Sequence, residues 1–350
     1  MKTTLLIRKL VPVLLAVSLL LSLVGCSKGN TTKDPAKPAG KTITIKIAHA
    51  AAESHMLHKG WLKLKDELEK RSNGQFKVQV FPNSQLGSGD RVFAEMVQNG
   101  SITITSVPTY TMATVTSTPA YNFIDLPFLL NRDKVTKIMD GPIGQSLAKD
   151  ALSKGIKVMG TYDIGWVDIS NKKRPLKMPA DFSGLKIRTT ESALYMDLIS
   201  ALGGSPTPMA FGEVYTALQQ GTVDGMMTVT GLYVSQRFYE VQKYMTRTAV
   251  FPIYHVYIVN PKFYNDLTPE LKKAFDEASQ VMVDFNRKLT IEDEKLAIAE
   301  LTKKGMELHT LTPQELAAFK EKTDPVVKKH YDTIGKDFME KYMKELNALK

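Results

Sequence analysis

Apolar and polar residues alternate over short runs separated by segments with helical periodicity. Lys41–Ala48 (KTITIKIA) and Gln75–Phe81 alternate with a period of two and predict strands. Between them, His55–Ser72 has the spacing of an amphipathic helix. Arg91–Asn99 predicts a second helix and Ser101–Thr105 a third strand. This alternation of strands and helices predicts an α/β fold, with helices covering a sheet.

A similar unit recurs later in the chain. Val97–Thr103 (VQNGSIT) is echoed by Leu218–Asp224 (LQQGTVD). In each unit we expect a helix to end at the glycine, which accepts the left-handed conformation, and a strand to begin at once. The match is short, and it fits two lobes of related design.

A long helix is predicted near the C-terminus. Thr268 is suited to the N-cap, and no helix-breaking residue follows until Gly305, so Pro269–Lys304 gives a run of 36 residues. At 1.5 Å per residue it would be about 54 Å long, which exceeds one lobe. The run either breaks near Thr290-Ile291 or follows both lobes, and we favour the unbroken helix. Thr312–Glu315 then gives a capping box for further helices.

The N-terminal segment has the features of a targeting signal. Three basic residues, Lys2, Arg8 and Lys9, precede the uncharged apolar run Leu10–Leu23. Leu23–Cys26 (LVGC) looks like a lipobox, which predicts cleavage after residue 25 and lipidation of Cys26. The alternatives are an ordinary secretory signal or an N-terminal membrane helix. The run has about 14 apolar residues, which is short for a span that needs roughly 20.

The rest of the N-terminal region predicts a flexible tether. Residues 26–40 are rich in Lys, Pro and Gly and predict disorder. Cys26 is the chain's one cysteine, so its lipidation leaves no thiol for disulfides, metals or catalysis. Roughly 310 residues follow, which exceeds one core and predicts two lobes.

The charge pattern argues against a nucleic-acid partner. The formal net charge is +10, and removal of the signal's three basic residues leaves +7. Basic residues are interleaved with acids, as in Lys63–Glu67 (KLKDE), which is typical of a solvated helix face. A mild attraction to anionic ligands or membranes is compatible with this balance.

Five segments carry a resemblance to a known family. Together they closely resemble the solute receptors of TRAP transporters, DctP type, here in lipoprotein form, and they extend over nearly the whole mature chain. The segments are Gly184–Gly225 (GLKIRTTESALYMDLISALGGSPTPMAFGEVYTALQQGTVDG), Phe81–Arg91 (FPNSQLGSGDR), Ile124–Leu130 (IDLPFLL), Ser170–Pro175 (SNKKRP) and Phe238–Met245 (FYEVQKYM).

The resemblance implies a periplasmic-binding-protein-like fold with two α/β lobes, a ligand cleft between them and a long helix spanning both. We expect residues 41–165 plus about 254–290 in lobe I, and residues 166–253 plus about 291–350 in lobe II. It also implies a receptor that is not an enzyme and needs no cofactor. Such a receptor delivers a small organic acid to the integral-membrane permease subunits of an ion-driven transporter. A monomer on the extracytoplasmic face is expected.

Arg188 is the main candidate for ligand binding. It ends the strand-like run Gly184–Arg188, and open α/β sheets bind ligands at the carboxyl ends of strands. Its guanidinium is a planar fork of donors that matches a carboxylate. The alternative is a structural or surface salt bridge, as for most arginines. By resemblance, Arg188 aligns with the receptor arginine that clamps the substrate carboxylate.

Other residues are expected around the ligand. By resemblance the ring of Phe211 packs against the ligand body, with ordinary core packing as the alternative. Trp166 lies in the segment that crosses between the lobes, and either lines the cleft or packs in the core. The remaining candidates follow strands or turns that should face the cleft: Pro108, Thr109, Asp90, Arg91, His49 and Glu53.

Two departures from the family pattern bear on the ligand. Many of these receptors carry a second arginine where this chain has Val167, and an asparagine near the position of Thr228. Without the second arginine, a second carboxylate on the ligand would lack its usual partner, which favours a monocarboxylate. The apolar side chain of Met209 also suggests that the body of the ligand is apolar or aromatic. Asp168 is then a candidate partner for an amino or hydroxyl group. The alternatives are a C4-dicarboxylate receptor, or the binding lipoprotein of an ATP-driven importer or sensor system.

Other function classes have weaker support. His49, His55 and His58 lie close in sequence, but no HExxH motif or CxxC pair accompanies them, so no metal site is expected. A structural cation at the cleft stays open as an alternative. The sequence has no GxSxG motif or glycine-rich phosphate loop that would indicate a hydrolase or a nucleotide site.

Overall fold

The computed structural model describes residues 41–130 and 132–349. The predicted signal peptide (1–25), the tether (26–40) and the lipid acceptor Cys26 lie outside the described residues. The strands are β1 (Ile43–Ala48), β2 (Phe76–Phe81), β3 (Ile104–Pro108), β4 (Lys157–Asn171), β5 (Lys186–Thr189), β6 (Ser205–Pro208), β7 (Gly225–Val229), β8 (Tyr244–Arg247), β9 (Pro252–Val259) and β10 (Glu307–Thr310).

Helices connect and cover these strands. Short 3₁₀ helices span Pro119–Asp125, Pro179–Phe182, Phe211–Glu213 and Phe238–Glu240. The α-helices are α1 (Met56–Arg71), α2 (Asp90–Gln98), α3 (Thr109–Val115), α4 (Arg132–Asp140), α5 (Pro142–Ser153), α6 (Ala193–Ala201), α7 (Val214–Gln220), α8 (Thr230–Ser235), α9 (Pro261–Asn265), α10 (Pro269–Lys303), α11 (Pro313–Ile334) and α12 (Lys336–Ala348).

The strands form two sheets that share β4. Their order is β2-β1-β3-β9-β4-β7-β5-β6, with β8 pairing with the second part of β4 and β10 pairing with β8. β1 pairs in parallel with β2 and β3, and β5 pairs in parallel with β6 and β7, so each sheet has its own parallel core. Long antiparallel crossings through β9 and β4 join the two. The predicted two-lobed α/β fold is confirmed.

β4 changes partner in its middle. Lys157–Trp166 pairs with β9, whereas Val167–Asn171 pairs with β7. The register with β9 shifts between Asp163 and Trp166, a bulge of the kind that bends a strand. Gly165 lies in this bulge with φ of +123°, and a Cβ there would approach the Cβ of Val229 to 3.2 Å. Glycine is therefore required where the chain crosses from one lobe to the other.

α10 runs unbroken along both lobes. It has 35 residues, packs against α1 and β4, and reaches α8 in the second lobe. Phe275 and Met282 belong to the larger hydrophobic core, whereas Leu301 belongs to a smaller second core. No break occurs at Thr290, whose hydroxyl donates to the carbonyl oxygens of Asn286 and Asp163 and so joins the helix to the crossing strand. The prediction of one helix spanning both lobes is confirmed.

Local signals set most element boundaries. The Thr268 side chain accepts a hydrogen bond from the Leu271 amide, and Thr312 forms the predicted capping box with Glu315. Both α2 and α7 end before a glycine with positive φ, as the two related units predict. The third strand begins later than expected, at Ile104 instead of residue 101, because the Asn99 side chain accepts hydrogen bonds from Ser101 and prolongs the turn.

The residue ranges assigned to each lobe stay a prediction. The division at residue 165 coincides with the change of pairing partner along β4. Within residues 41–130 and 132–349, no helix has the length and apolar character that a membrane crossing requires.

A chain of alternating charges lies beside the crossing of β4. Asp168 accepts from Arg247 at 2.7 Å, and Arg247 also donates to Glu294 of α10 at 2.8 Å. The other carboxylate oxygen of Glu294 accepts from Arg132, which in turn pairs with Asp163 at 2.8 Å. Arg132 of α4 and Arg247 of β8 thus share one carboxylate of the long helix. Burial raises the pKa of Asp168, and nearby Arg247 opposes that rise.

We predict that Asp168→Asn destabilises the fold. Asp168 is fully buried, and its neutralisation leaves the Arg247 guanidinium without its closest counter-ion. Breaking a buried ion pair from one side costs about 3 kcal/mol. Denaturant unfolding measures the loss, with exposed Asp66→Asn on α1 as the matched control. Equal stability of the two variants would show that the charge chain contributes nothing.

Candidate functional site

Two connected chambers lie between the sheets. The outer chamber has a volume of about 440 Å³ and is bordered partly by exposed residues, including Glu191 and Glu213. The inner chamber is smaller, about 50 Å³, and reaches β4, β7 and β9 at the crossing between the lobes. Five residues are common to both chambers: Asp90, Tyr110, Arg188, Thr190 and Phe211. The first two lie on α2 and α3, which pack against β3 of the first sheet, and the other three lie in or next to β5 and β6 of the second sheet. A molecule bound there contacts elements that pack on either sheet.

Arg188 lies on the wall that the two chambers share. It is the third residue of β5, whose pairing with both β6 and β7 fixes the backbone, and its side chain is only 3% exposed. One terminal nitrogen, Nη2, donates to the carbonyl oxygen of Met209 at 2.9 Å. The Nε–H group is buried and has no acceptor, and the Phe211 ring centre lies 5.8 Å from Cζ. Among the described residues, Arg188 forms no ion pair with a carboxylate.

Charges around Arg188 are only partly balanced. Burial lowers the pKa of the Arg188 guanidinium, against the nearby Tyr110 and Asp90, which raise it. Burial raises the pKa of Asp90 to about 6, although Arg188 pulls it down. A buried cation without a close counter-ion carries a large desolvation cost, which an incoming anion with matching hydrogen bonds offsets. The site is therefore electrostatically suited to an anion.

Unpartnered polar atoms surround the chambers. The Nε of Arg188, the Oγ1 of Thr190 and the Nδ1 of His49 are buried without a hydrogen-bond partner, and each residue lines the inner chamber. Buried polar groups in folded proteins are nearly always hydrogen-bonded, so three such atoms around one cavity point to a polar ligand.

Four histidines lie at or near the inner chamber. His49 and His255 line it. His55 is the N-cap of α1, and His58 lies in α1 with its Nδ1 3.1 Å from Nε2 of His49. Burial lowers the pKa of His49, His55 and His255 to about 3, so these rings are neutral at neutral pH. No group of three or more His, Cys, Asp or Glu side chains in the described ranges is arranged to hold a metal ion.

The structure brings six of the ten predicted ligand residues to the chambers. Arg188, Phe211 and Asp90 line both. His49, Pro108 and Thr228 line the inner chamber only. Of the other residues that the sequence singled out, Arg91 and Met209 line the outer chamber.

Four predicted residues lie elsewhere. Thr109 is buried and donates to the Asp125 carboxylate, and Glu53 is exposed. Trp166 lies in β4 opposite Pro252, outside the lining of either chamber. Asp168 accepts hydrogen bonds from Arg247 and from the hydroxyl of Thr230, so its carboxylate is engaged in the charge chain, and it lies outside the lining of either chamber. Val167, expected beside the ligand, is fully buried in the core.

Several lining residues were not predicted from the sequence. Thr190 follows Arg188 by two positions, and side chains two positions apart in an extended chain lie on the same side. The sequence therefore contains a signal that places Thr190 beside Arg188. Tyr110 directly follows the predicted Pro108–Thr109 segment. Ser106 and His255 carry no local signal, because they meet only through the pairing of β3 with β9.

Comparison with known proteins identifies the family. The model of the DctP family, described as bacterial extracellular solute-binding protein, family 7, matches residues 47–334. A 2,3-diketo-L-gulonate-binding periplasmic protein of Escherichia coli is 31% identical over 274 residues, 76% of this chain and 81% of that protein. A C4-dicarboxylate-binding periplasmic protein of Rhodobacter capsulatus is 32% identical over 295 residues, 84% of this chain and 88% of that protein.

A solved structure agrees with these relatives. The sugar acid binding protein from Advenella mimigardefordensis, in complex with galactonate, matches with a TM-score of 0.85 and 26% identity, covering 89% of this chain and 99% of that one. With the family model covering most of the chain, the fold and the sequence agree. The chain belongs to the DctP family of extracellular solute-binding proteins and is a solute receptor of the TRAP type, not an enzyme.

Proposed function

We propose that this receptor captures a small monocarboxylate on Arg188 and delivers it to the permease subunits of a TRAP transporter. The observation that carries the proposal is a buried guanidinium with a free Nε–H group on the wall of an interlobe cavity. A carboxylate accepts two parallel hydrogen bonds from such a fork, and the pair strengthens when the cleft excludes water.

The named ligands of the relatives support a carboxylate. The E. coli, R. capsulatus and A. mimigardefordensis proteins are named for diketogulonate, C4-dicarboxylates and galactonate, respectively. These compounds differ in length and polarity, and each carries a carboxylate. An arginine at the cavity wall is the complementary group that all three would require.

The charges of the chamber walls favour a single carboxylate. Arg91 is the second arginine of the outer chamber, but it is exposed and already pairs with Glu95 at 2.9 Å. Glu191 and Glu213 border the same chamber and would repel a second negative charge. Apolar walls from Phe211 and other residues suit a less polar ligand body. A monocarboxylate therefore fits better than a C4-dicarboxylate.

Capture would proceed by closure of the lobes. Arg188 lies in β5 and Phe211 follows β6, both strands of the second sheet, whereas Asp90 and Tyr110 lie on α2 and α3, which pack against β3 of the first. A ligand that contacts all four has more contacts in the closed state and shifts the population toward it. The permease would then recognise the closed receptor. Lipidation of Cys26, also proposed, would hold the receptor at the extracytoplasmic face of the membrane.

We predict that Arg188→Ala and Arg188→Lys both lose affinity for organic acids. Removal of the cation costs several kcal/mol, about 10² to 10⁴-fold in Kd. Lysine keeps the charge but presents a single point and no planar fork, so it should rescue only a small part of the binding. Calorimetry with a panel of mono- and dicarboxylic acids measures the change.

Arg91→Ala is the matched control for these variants. Arg91 borders the same chamber but is exposed and paired with Glu95, so its loss should change Kd less than about threefold. Undiminished affinity in Arg188→Ala would rule out Arg188 as the anchor. A response to C4-dicarboxylates alone would rule out the monocarboxylate.

We predict that binding takes up protons through Asp90. Its pKa is about 6 in the free protein, and a bound carboxylate that neutralises Arg188 would raise it further. Affinity should therefore increase as pH falls from about 8 to about 6, and this increase ends once Asp90 is protonated in both states. The neighbouring Tyr110 stays neutral, because burial raises its pKa well above the ordinary value.

Calorimetry in two buffers of different ionisation enthalpy gives the number of protons taken up. Asp90→Asn is isosteric and should abolish the uptake near pH 7. Uptake of the same size in this variant would assign the proton to a group other than Asp90.

A further inference from the structure

Tyr195 joins elements of the two sheets at a point outside both chambers. It lies in α6, the helix that follows β5 and therefore follows Arg188 along the chain, and it is 1% exposed. α6 packs against β5 and β6 of the second sheet. The side chain of Tyr195 nevertheless contacts α3 and the 3₁₀ helix Pro119–Asp125, which both pack against β9 of the first sheet. Tyr195 itself is not part of the lining of either chamber.

The hydroxyl group of Tyr195 bonds a buried carboxyl group. It donates to Oδ1 of Asp125 at 3.5 Å, the long end of the range for such bonds, and the hydroxyl of Thr109 lies 3.3 Å from each oxygen of the same carboxyl group. Asp125 is 1% exposed. Burial raises the pKa of Asp125 well above its usual range, and the two hydroxyl donors oppose this rise only in part. Loss of either donor would leave a buried polar group poorly satisfied, which costs free energy.

The ring of Tyr195 makes a second contact between the two sides. It packs edge-on against Tyr110 of α3 with ring centres 5.2 Å apart, and against Phe251 with centres 4.7 Å apart. Aromatic pairs in this geometry attract each other beyond the burial of their area. Tyr110 lines both chambers, and both tyrosines lie close enough to Arg188 to raise the pKa of its guanidinium. Tyr195 therefore contacts one chamber residue and stands next to another.

α11 supports the same connection. It packs against α6 and against the 3₁₀ helix that carries Asp125. On α6, Nε2 of His330 lies 2.7 Å from the carboxylate of Asp197, to which Lys329 also donates at 2.9 Å. The two elements that Tyr195 joins are thus packed on a common helix, which favours one arrangement of them.

We propose that Tyr195 is a positioning residue that fixes Tyr110 and Arg188 relative to each other, so that ligand affinity depends on a tyrosine outside the chambers. The inference rests on the proposed function, in which Arg188 anchors the ligand. Tyr110 stands on α3 and Arg188 on β5, so a ligand that contacts both needs them at one separation. Holding them there in advance raises affinity, because less conformational freedom is lost on binding. Ordinary core packing of Tyr195 would instead affect stability and leave affinity unchanged.

Two variants of Tyr195 measure the positioning role. Without its contacts, we expect the two sides to sample arrangements in which Tyr110 and Arg188 do not meet the same ligand, and Kd rises as the binding-competent fraction falls. Tyr195→Phe removes the hydroxyl bond and should raise Kd about threefold. Tyr195→Leu also removes the ring contacts and should raise it about tenfold. Calorimetry uses galactonate, succinate, butanoate and benzoate, and the tightest binder serves for all variants.

Tyr121→Phe and Tyr121→Leu are the matched controls. Tyr121 lies in the same 3₁₀ helix as Asp125, is also 1% exposed, and donates from its hydroxyl to the carbonyl oxygen of Leu147 at 2.9 Å. It is not among the residues that line the chambers. Thermal melting should show comparable losses of stability at the two positions, whereas only the Tyr195 variants should raise Kd. Equal Kd values for the paired variants would overturn the positioning role.

Variants of Asp125 test whether the two side chains act together. Asp125→Leu should raise Kd about as much as Tyr195→Phe, and the double variant should bind within about twofold of the weaker single variant. Asp125→Asn keeps an oxygen acceptor for the hydroxyl of Tyr195 and should retain the original Kd within about twofold. Losses that multiply in the double variant would show independent effects and contradict the inference.

A distance measurement tests the inference without a ligand. Glu95 in α2 and Gln219 in α7 are exposed and lie on helices from opposite sides of the cavity. Spin labels on cysteines at these two positions, in a Cys26→Ser background, report the separation of the sides. We expect Tyr195→Leu to broaden the distribution of distances relative to Tyr121→Leu. Identical distributions in the two variants would contradict the inference.

Failure of the inference differs from failure of the proposed function. If Tyr195→Phe and Tyr195→Leu keep full, Arg188-dependent affinity, the inference alone fails. If no acid binds in an Arg188-dependent manner, the proposed function fails, and the label distances still decide whether Tyr195 holds the two sides together.

Discussion

Ligand capture depends on one buried guanidinium, that of Arg188, which has no carboxylate partner within the part of the chain that the structure describes. Two parallel neighbours of β5 fix the backbone of Arg188, and the Met209 carbonyl fixes one of its nitrogens. Asp90 raises the pKa of Arg188, and burial raises the pKa of the Asp90 carboxyl to about 6, so protonation of Asp90 below that pH removes a negative charge that would oppose a bound anion. A full ion pair would satisfy the cation and remove the driving force for capture. Leaving the guanidinium without an ion pair costs free energy, and the stability of the surrounding fold offsets this cost.

Contacts among the elements behind the cavity offset the free-energy cost of leaving Arg188 without a carboxylate partner. α10 contributes to both hydrophobic cores and is joined to β4 by Thr290, next to the bulge at Gly165. Beside the same bulge, Glu294 shares its carboxylate between Arg132 and Arg247. These contacts join both sheets to one helix beside the crossing of β4.

Local physical signals account for the parts of the fold that the sequence predicted. Thr268 and Thr312 cap helices through their own side chains, and Gly100 and Gly221 end helices because they tolerate positive φ. Strand alternation locates β1 and β2, each with one face in the core. It fails in β4, where Val167 and Asp168 are both fully buried, because a central strand covered on both faces loses its period of two. For this reason the sequence pattern gives no sign of the structural role of Asp168.

The site was predictable only in part for a similar reason. Arg188 carries a local signal at the end of its strand, and the family resemblance adds its role. Ser106 and His255 are 149 positions apart, and Tyr162 joins them from a third strand. Their chemistry exists only once β3, β9 and β4 are paired, so no window of sequence contains it.

Arginine-labelled NMR spectroscopy tests the central claim most directly. The Nε–H signal of Arg188, assigned by its absence in Arg188→Lys, can be followed while an organic acid that binds is added. We expect this signal to shift and to exchange more slowly with solvent as the buried Nε–H acquires an acceptor. An acid that binds, moves other signals and leaves the Arg188 signal unchanged would contradict the account.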